Sequence, residues 1–157
     1  MSPKAWIIAI TTKPITVTAV AKTKTYGDAD PALTYTTAVG ALVGNDTLTG
    51  SLTRVAGDNV AEYTINQGSV ANTNYNITYT SAKLTITAKP ITVTAVAKTK
   101  TYGDSDPSLT FTTATGALVG SDSLAGALTR VAGDNVAEYT INQGSVTNTN
   151  NTNYDIT

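Results

Sequence analysis

Four aspartates occupy the positions with the clearest potential for chemistry in this sequence. Asp28 and Asp30 follow a Tyr-Gly pair, and Asp104 and Asp106 repeat that arrangement. Carboxylates and loop carbonyls are the usual oxygen ligands of Ca²⁺, so a weak calcium site is one interpretation. The alternative is a turn in which the aspartates cap the backbone. Because the pattern lacks the further acidic ligands of a calcium loop, the turn is favoured and no metal site is predicted.

Catalysis finds little support in the residue types. The chain contains neither histidine nor cysteine, which excludes Ser-His-Asp triads, imidazole bases, thiolate nucleophiles, disulfides and cysteine metal sites. Asp46, Asp58 and Glu62 are dispersed over turns and strands, whereas glycoside hydrolysis needs two carboxylates in a cleft. We therefore predict no catalytic residue, no cofactor and no enzymatic activity.

Other polar groups admit binding or crosslinking interpretations. An exposed platform for carbohydrate would need four tyrosines on one surface, namely Tyr26, Tyr63, Tyr75 and Tyr79. Their placement on predicted strands favours packing instead. A Lys-Asn isopeptide bond from Lys22 or Lys24 has no support in the sequence. Asn-x-Thr glycosylation patterns are expected by chance in a chain so rich in Asn and Thr.

Composition restricts the partners of the chain. Its 157 residues carry a net charge of −1 and are 13% charged, so a basic surface for nucleic acid is not predicted. No apolar run approaches the ~20 residues of a membrane span, and membrane insertion is not predicted. The apolar run 6–10 is also too short to span a membrane and lacks the form of a secretion signal. We expect a piece of a longer protein whose targeting signals lie elsewhere.

The sequence is a tandem repeat. Residues 13–74 recur as 89–150 at an offset of 76 residues (89 − 13). Nine of those 62 positions differ, which leaves 53 identities (62 − 9). A period of this length is too long for a solenoid unit and suits a small independent domain. Arrays of such modules serve reach, mechanics or multivalency more often than catalysis.

Short strands with frequent turns fill each repeat. Residues 15–19 alternate apolar and polar side chains, which is typical of a half-buried strand. Six or seven such strands in 76 residues predict an all-β fold of two small antiparallel Ig-like β-sandwiches, placed end to end. The alternative is a β-grasp-like sheet with one short helix near 41–48. Lys13-Pro14 and Lys89-Pro90 mark short, proline-stiffened junctions between repeats.

The repeats are out of phase with the ends of the chain. Residues 1–12 resemble the last strand of a repeat, 13–88 form a complete repeat, and 89–157 lack the counterpart of 79–88. Ile8 and Ile10 stand at the offsets of Leu84 and Ile86 in that last strand, and Trp6 extends the same face. Three residues are also inserted in the second repeat, at 150–152.

Each repeat resembles the MBG (mostly beta, glycine-rich) and related YDG repeats of large bacterial surface proteins. The resemblance rests on seven segments of the first repeat: Lys13-Pro14-Ile15-Thr16-Val17, Lys24-Thr25-Tyr26-Gly27-Asp28, Asp30-Pro31, Leu48 with Gly50, Glu62-Tyr63-Thr64-Ile65, Asn74-Tyr75-Asn76-Ile77-Thr78 and Leu84-Thr85-Ile86-Thr87. The second repeat carries the same pattern as far as Asn153-Tyr154-Asp155-Ile156-Thr157. It implies extracellular, adhesin-like stalks and no catalytic residues. The missing strand and the insertion depart from the family pattern.

We therefore expect a non-enzymatic structural repeat of a bacterial extracellular fibre or surface stalk. One version assembles head to tail with other copies of itself, because Trp6, Ile8 and Ile10 supply the strand that the second repeat of another copy lacks. In the alternative, the chain is a stalk fragment of a giant adhesin, in contact only with adjacent repeats. A weak carbohydrate- or calcium-binding module, with a host or glycan ligand, is a third interpretation.

Overall fold

The computed structural model describes residues 6–157, and they form an all-β fold. The first repeat contains seven strands: β1 (Lys13–Ala19), β2 (Lys22–Thr25), β3 (Tyr35–Thr37), β4 (Thr53–Arg54), β5 (Ala61–Asn66), β6 (Tyr75–Thr80) and β7 (Ala82–Thr87). The second repeat contains six: β8 (Lys89–Ile91), β9 (Val93–Ala95), β10 (Phe111–Thr113), β11 (Thr129–Arg130), β12 (Ile141–Asn142) and β13 (Tyr154–Ile156). The predicted all-β class is confirmed.

The alternating pattern of β1 explains its place in the fold. Ile15, Val17 and Ala19 are buried while Thr16 between them is exposed, as the two-residue period of a strand requires. β1 is the centre of a three-stranded sheet of order β3-β1-β6. A four-stranded sheet has the order β2-β7-β5-β4. Ala19 of one sheet shares an apolar cluster with Ile65 and Leu84 of the other, which is how a sandwich core is built.

Strand pairing is mixed, whereas the sequence predicted antiparallel sheets. β1 pairs with β3 antiparallel, as do β4 with β5, β9 with β10 and β11 with β12. β1 and β6, however, run parallel from Lys13↔Tyr75 to Thr18↔Thr80, and β8 and β13 repeat this arrangement. Parallel neighbours need a long crossover connection, which the strands and loops between β1 and β6 supply.

The alternative with a short helix is not supported by the structure. Residues 41–48 contain a bend at Leu42 and a single turn at Gly44-Asn45, in which Asp46 N donates to Val43 O at 3.0 Å. Gly44 has a φ of 55° inside this segment, in the left-handed region that a right-handed helix excludes. A glycine-rich stretch of this length is also too short to hold a helix by itself.

Two compact units make up the described chain. The first consists of residues up to Thr23, Asp30–Gly57 and Glu62–Thr85. The second consists of Lys24–Ala29, Asp58–Ala61 and Ile86–Thr157, so it includes two loops and the last three residues of the first sequence repeat. Its core is the apolar cluster Ile91, Val146, Tyr154 and Ile156.

The insertion in the second repeat is absorbed by one buried side chain. In the first repeat, Thr49 and Ala71 exchange two backbone hydrogen bonds at 2.9 and 3.0 Å. In the second, Ala125 N donates to Asn151 Oδ1 at 2.7 Å, and Asn151 Nδ2 donates to Ala125 O at 3.0 Å. The same Nδ2 also donates to Thr147 O at 2.9 Å. The side-chain amide of Asn151 therefore takes the place that the backbone groups of Ala71 have in the first repeat.

No helix in the described part of the chain has both the length and the apolar character needed to cross a membrane.

Candidate functional site

An open groove lies beside β12 in the second unit. Two adjoining cavities of about 740 and 380 Å³ share Ala95 and Ile141 in their lining. Leu109 and Tyr139 line the larger cavity, and Val93 lines the smaller one. The lining is partly apolar, and β12 pairs only with β11 within residues 6–157. The groove therefore combines apolar side chains with a strand edge that is free to take another strand.

In the first repeat the corresponding place is filled by β7. That strand lies between β2 and β5, and its Leu84 and Ile86 are 0% and 1% exposed. The alternation of β7, with Lys83 exposed between apolar positions, points one face of the strand into the core. Among the described residues of the second repeat, no strand takes this place beside β12. The groove is thus the space that a strand with the pattern of β7 occupies.

The residues predicted to donate this strand are exposed. Trp6 is 94% exposed, and Ile8 and Ile10 are exposed to a similar degree. Residues 6–12 form no regular secondary structure, so their backbone is available for pairing. The structure brings none of the three side chains into a core, and their predicted role as an interface remains a prediction. Residues 1–5, also assigned to the extra strand, lie outside the described residues.

The predicted junction residues start the first strand of each repeat. Lys13 and Pro14 lie opposite Tyr75 and Asn76 at the beginning of the β1–β6 ladder. The ammonium group of Lys13 donates to Gly40 O at 3.2 Å. Lys89 and Pro90 repeat these contacts, opposite Tyr154 and Asp155 and with a bond from Lys89 Nζ to Gly116 O at 3.3 Å. Both pairs therefore fix the entry of the chain into a sheet.

Two of the four aspartates considered for calcium, Asp30 and Asp106, bind basic side chains instead, while the backbone carbonyls of Asp28 and Asp104 accept from Lys24 and Lys100. Asp106 accepts from Arg130 Nε at 2.6 Å and pairs with Lys100 at 2.8 Å. Its hydrogen bonds to Arg130 and then Lys100 lower the pKa of the Asp106 carboxyl to about 2. Asp30 binds Arg54 in the same way. Among residues 6–157, no group of three or more acidic side chains comes together, so the calcium interpretation gains no support.

The tyrosines considered for a carbohydrate platform are used for packing. Tyr75 is buried, and its hydroxyl donates to Asp46 at 2.6 Å. Tyr79 donates to Ile65 O at 2.9 Å, and Tyr63 lies under the guanidinium of Arg54 at 5.3 Å from its ring centre. Their hydroxyls and rings are therefore turned to different parts of the protein.

A second buried tyrosine forms the equivalent pair with a carboxylate in the second unit. Tyr154 donates to Asp122 at 2.6 Å. Burial, and to a smaller extent this hydrogen bond, raises the pKa of Tyr154 to about 12. The hydroxyls of Tyr154 and Tyr26 in turn lower the pKa of Asp122. A carboxylate with a lowered pKa is a weak base, so this pair stabilises structure and is poorly suited to general-base catalysis.

Comparison with protein-family profiles shows to which family the chain belongs. The sequence profile of the MBG domain, YGX type, matches residues 15–85 and again residues 91–157. The chain belongs to the MBG domain family. The Tyr-Gly pairs at Tyr26-Gly27 and Tyr102-Gly103 agree with the YGX description. A search of curated proteins and a search of solved structures gave no match.

MBG repeats are typical of bacterial surface proteins and form a structural domain family that is not known for enzymatic activity. The tandem MBG assignment made from the sequence is confirmed. The sequence assigned a donor face to Trp6, Ile8 and Ile10, which stays a prediction, and it did not reveal the lining of the groove. Ala95 and Ile141 are identical to Ala19 and Ile65, which are buried in the first repeat. The 76-residue offset maps these two buried positions onto Ala95 and Ile141, and this is the signal from which the groove lining could have been found.

Proposed function

We propose that this MBG tandem is a non-enzymatic structural element of an extracellular fibre or surface stalk, and that copies of it assemble by strand donation. Residues 6–12 of one copy add to β12 of another and fill the groove of its second unit. The observation that carries this proposal is the open groove at the place of β7. Head-to-tail addition of this kind does not close on itself and gives a filament.

The pattern of residues 6–12 supports this occupant. Ile8 and Ile10 take the positions of Leu84 and Ile86, and Trp6 takes that of Ala82. Burying these three side chains contributes about 5–8 kcal/mol before the cost of ordering the segment. Backbone bonds to β12 add to this gain, because main-chain pairing supplies much of the affinity in strand addition.

The absence of catalysis belongs to the same proposal. With neither histidine nor cysteine in the chain, no serine or threonine has a visible activating base. Incubation with panels of glycans and peptides should give no turnover. Hydrolysis that disappears when a single aspartate is changed to asparagine would contradict this part of the proposal.

Sedimentation over a range of concentrations tests strand donation. Wild type should form head-to-tail species at high concentration, whereas a chain with Ile8→Asp and Ile10→Asp should stay monomeric, because two charges would enter the core. Ile7→Lys is the matched control, since Ile7 corresponds to the exposed Lys83. This variant should assemble as wild type does.

The emission of Trp6 gives an independent readout. It is the only tryptophan of the chain and is 94% exposed in the free segment. Assembly should shift its emission to shorter wavelength as the indole enters the groove. If wild type remains monomeric at every concentration, or if the double aspartate variant assembles equally well, the groove does not take this segment.

A further inference from the structure

Two loops of the first sequence repeat pack closely within the second unit. Tyr26 donates its hydroxyl to Asp122 Oδ2 at 2.8 Å, and its ring meets that of Tyr154 edge-on at 5.5 Å. Gly27 lies against Val119, where an added Cβ would come within 2.5 Å of a methyl carbon. Because a Cβ would clash there and the φ of Gly27 is 88°, this position requires glycine.

A second loop completes the same contact. The backbone N–H of Val60 donates to Asn153 Oδ1 at 2.9 Å. Asn153 Nδ2 donates to Asn59 Oδ1 at 2.9 Å. The side-chain amide of Asn153 therefore uses its oxygen on one residue and its nitrogen on the next. Such paired bonds fix both the position and the orientation of a loop.

The second repeat carries the same loop residues, and there all four are exposed. We call this set the docking loops, and it consists of Tyr102, Gly103, Asn135 and Val136. Tyr102 is 71% exposed and Val136 is 91% exposed, whereas Tyr26 and Val60 are half-buried. A Cβ added to Gly103 would meet no atom within 4 Å.

The first repeat carries the same receiving residues. We call this set the receiving surface, and it consists of Val43, Asp46, Asn74 and Tyr75. Tyr75 donates to Asp46 at 2.6 Å and accepts from Val43 N at 2.8 Å. Tyr154 makes bonds of the same two lengths to Asp122 and Val119. The receiving surface is therefore already shaped for a tyrosine and a glycine.

Residues of the receiving surface are more exposed than their counterparts in the second unit, as expected of a surface that binds a partner. Val43 is 59% exposed, whereas Val119, with Gly27 packed on it, is half-buried. Asn74 is exposed, while its counterpart Asn153 is half-buried. The sequences of the two sets are the same as those that pack together inside the second unit, so their chemistry is complementary.

We propose that the docking loops of one chain bind the receiving surface of a second copy of this chain, with Tyr102 donating to Asp46. This inference rests on the strand donation proposed above. The donated residues 6–12 run directly into Lys13, whose N–H donates to Asn74 O of the receiving surface at 2.9 Å. Donation and docking therefore involve the same two molecules and the same joint, and docking fixes the register of that joint.

The test uses two full-length chains that can form only one joint. Chain one carries Ile8→Asp and Ile10→Asp, which disable its donor segment. Chain two carries Ala95→Arg, which blocks its groove at a side chain that is exposed in the free protein. Mixing them should give a 1:1 complex with chain two as donor. Sedimentation gives its Kd.

Tyr102→Phe in chain one should raise this Kd about tenfold, because it removes a hydrogen bond to a carboxylate. Asp46→Asn in chain two should raise it by a similar factor. Together the two changes should weaken binding no more than either one alone, which is the signature of a direct contact. Tyr26→Phe is the matched control and should leave Kd unchanged while lowering the melting temperature of the monomer.

Three outcomes would overturn the inference. If the 1:1 complex forms and neither change alters its Kd by more than about twofold, docking is wrong while strand donation stands. If both changes weaken binding and their effects multiply, the contact between Tyr102 and Asp46 is wrong. If no complex forms, strand donation and docking are both wrong.

Discussion

The same six residues behave differently in the two repeats. Ala-Glu-Tyr-Thr-Ile-Asn forms all of β5 at Ala61–Asn66, but at 137–142 only the last two residues are in a strand, β12. Ile65 is fully buried and Ile141 is not. Because the local sequence is identical, the difference comes from the neighbouring strand β7, which has no equivalent beside β12 among the described residues. Strand formation here depends on a partner across the ladder more than on intrinsic propensity.

The strand on the other side of β7 shows the same dependence on a neighbouring strand. Lys-Thr-Lys-Thr forms β2 at Lys22–Thr25, while the same residues at 98–101 form no strand. Ala19 is buried and its counterpart Ala95 is exposed. One strand thus organises both edges that flank it, and the second unit keeps its apolar cluster although no such strand lies beside β12 among the described residues.

A buried charge should give the largest difference between the repeats. Ala19→Arg places an unpaired guanidinium in a packed core and should cost at least about 3 kcal/mol, enough to unfold a small domain. Ala95→Arg should change the stability of the monomer by no more than about 0.5 kcal/mol. Denaturant unfolding at low protein concentration, where the chain is monomeric, compares the two. Equal destabilisation would mean that Ala95 is already in a closed core.

Truncating the paired isoleucines should give the next largest difference. Ile65→Ala leaves a cavity in a closed core and should cost about 2–5 kcal/mol. Ile141→Ala, at the half-exposed counterpart, should cost about 1 kcal/mol in the monomer because water already reaches the site. Urea midpoints measure both. The gap between them should narrow when the chain is concentrated enough to assemble, since a donated strand would bury Ile141.

Removing the inserted amide should have a moderate effect confined to the second unit. Asn151→Ala leaves the N–H and C=O of Ala125 without this partner and should cost about 1–3 kcal/mol. Asn151→Gln keeps the amide but moves it, and should recover only part of the loss. Hydrogen exchange at the Ala125 amide is a direct probe. Unchanged protection in the alanine variant would show that the bond contributes nothing.

Acid should remove the stabilisation that the Asp122 carboxylate provides, and this is the smallest of the four expected effects. Asp122 accepts from two tyrosine hydroxyls, which lower its pKa in the folded state. This stabilisation is complete above the unfolded pKa of about 3.9 and is lost as pH falls through the lower folded value. Asp122→Asn should therefore cost about 1 kcal/mol at pH 7 and flatten the loss of stability below pH 4.

Asp46 is the matched comparison, because in the described structure its carboxylate accepts one tyrosine hydroxyl, that of Tyr75. Asp46→Asn should therefore cost less at pH 7. Thermal melting of both variants at pH 7 makes this comparison, and melting of the Asp122→Asn variant between pH 2 and pH 7 follows the acid limb. A larger effect at Asp46 would contradict the assignment of the second hydroxyl, from Tyr26, as a stabilising bond.

Local patterns in the sequence predicted much of the fold, and contacts between distant residues were harder to predict. The alternation at Ile15 and Val17 identified β1, because a two-residue period is visible in five residues. The parallel pairing of Lys13 with Tyr75 left no local signal, since it depends on how two sheets pack. The turn chemistry around Gly27 was visible, but a turn does not show what packs on it.

For the groove and the docking residues, too, one part could be predicted from the sequence and the other part could not. Ile8 and Ile10 could be assigned to a donor face because the repeat offset maps them onto Leu84 and Ile86. The bond from Tyr26 to Asp122 joins residues 96 positions apart, and nothing in a Tyr-Gly-Asp turn specifies its partner. An alignment of the repeats shows which residues are equivalent, whereas coordinates are needed to show which of them touch.

The amide of Asn151 has a consequence for how such arrays change over generations. Genes made of near-identical repeats gain and lose short in-frame segments, and most insertions beside a strand would break its register. Here three extra residues enter without loss of the bridge, because a side-chain amide offers the same donor and acceptor as the peptide group it replaces. Repeat length can therefore vary at this point without leaving the backbone N–H and C=O of Ala125 unpaired.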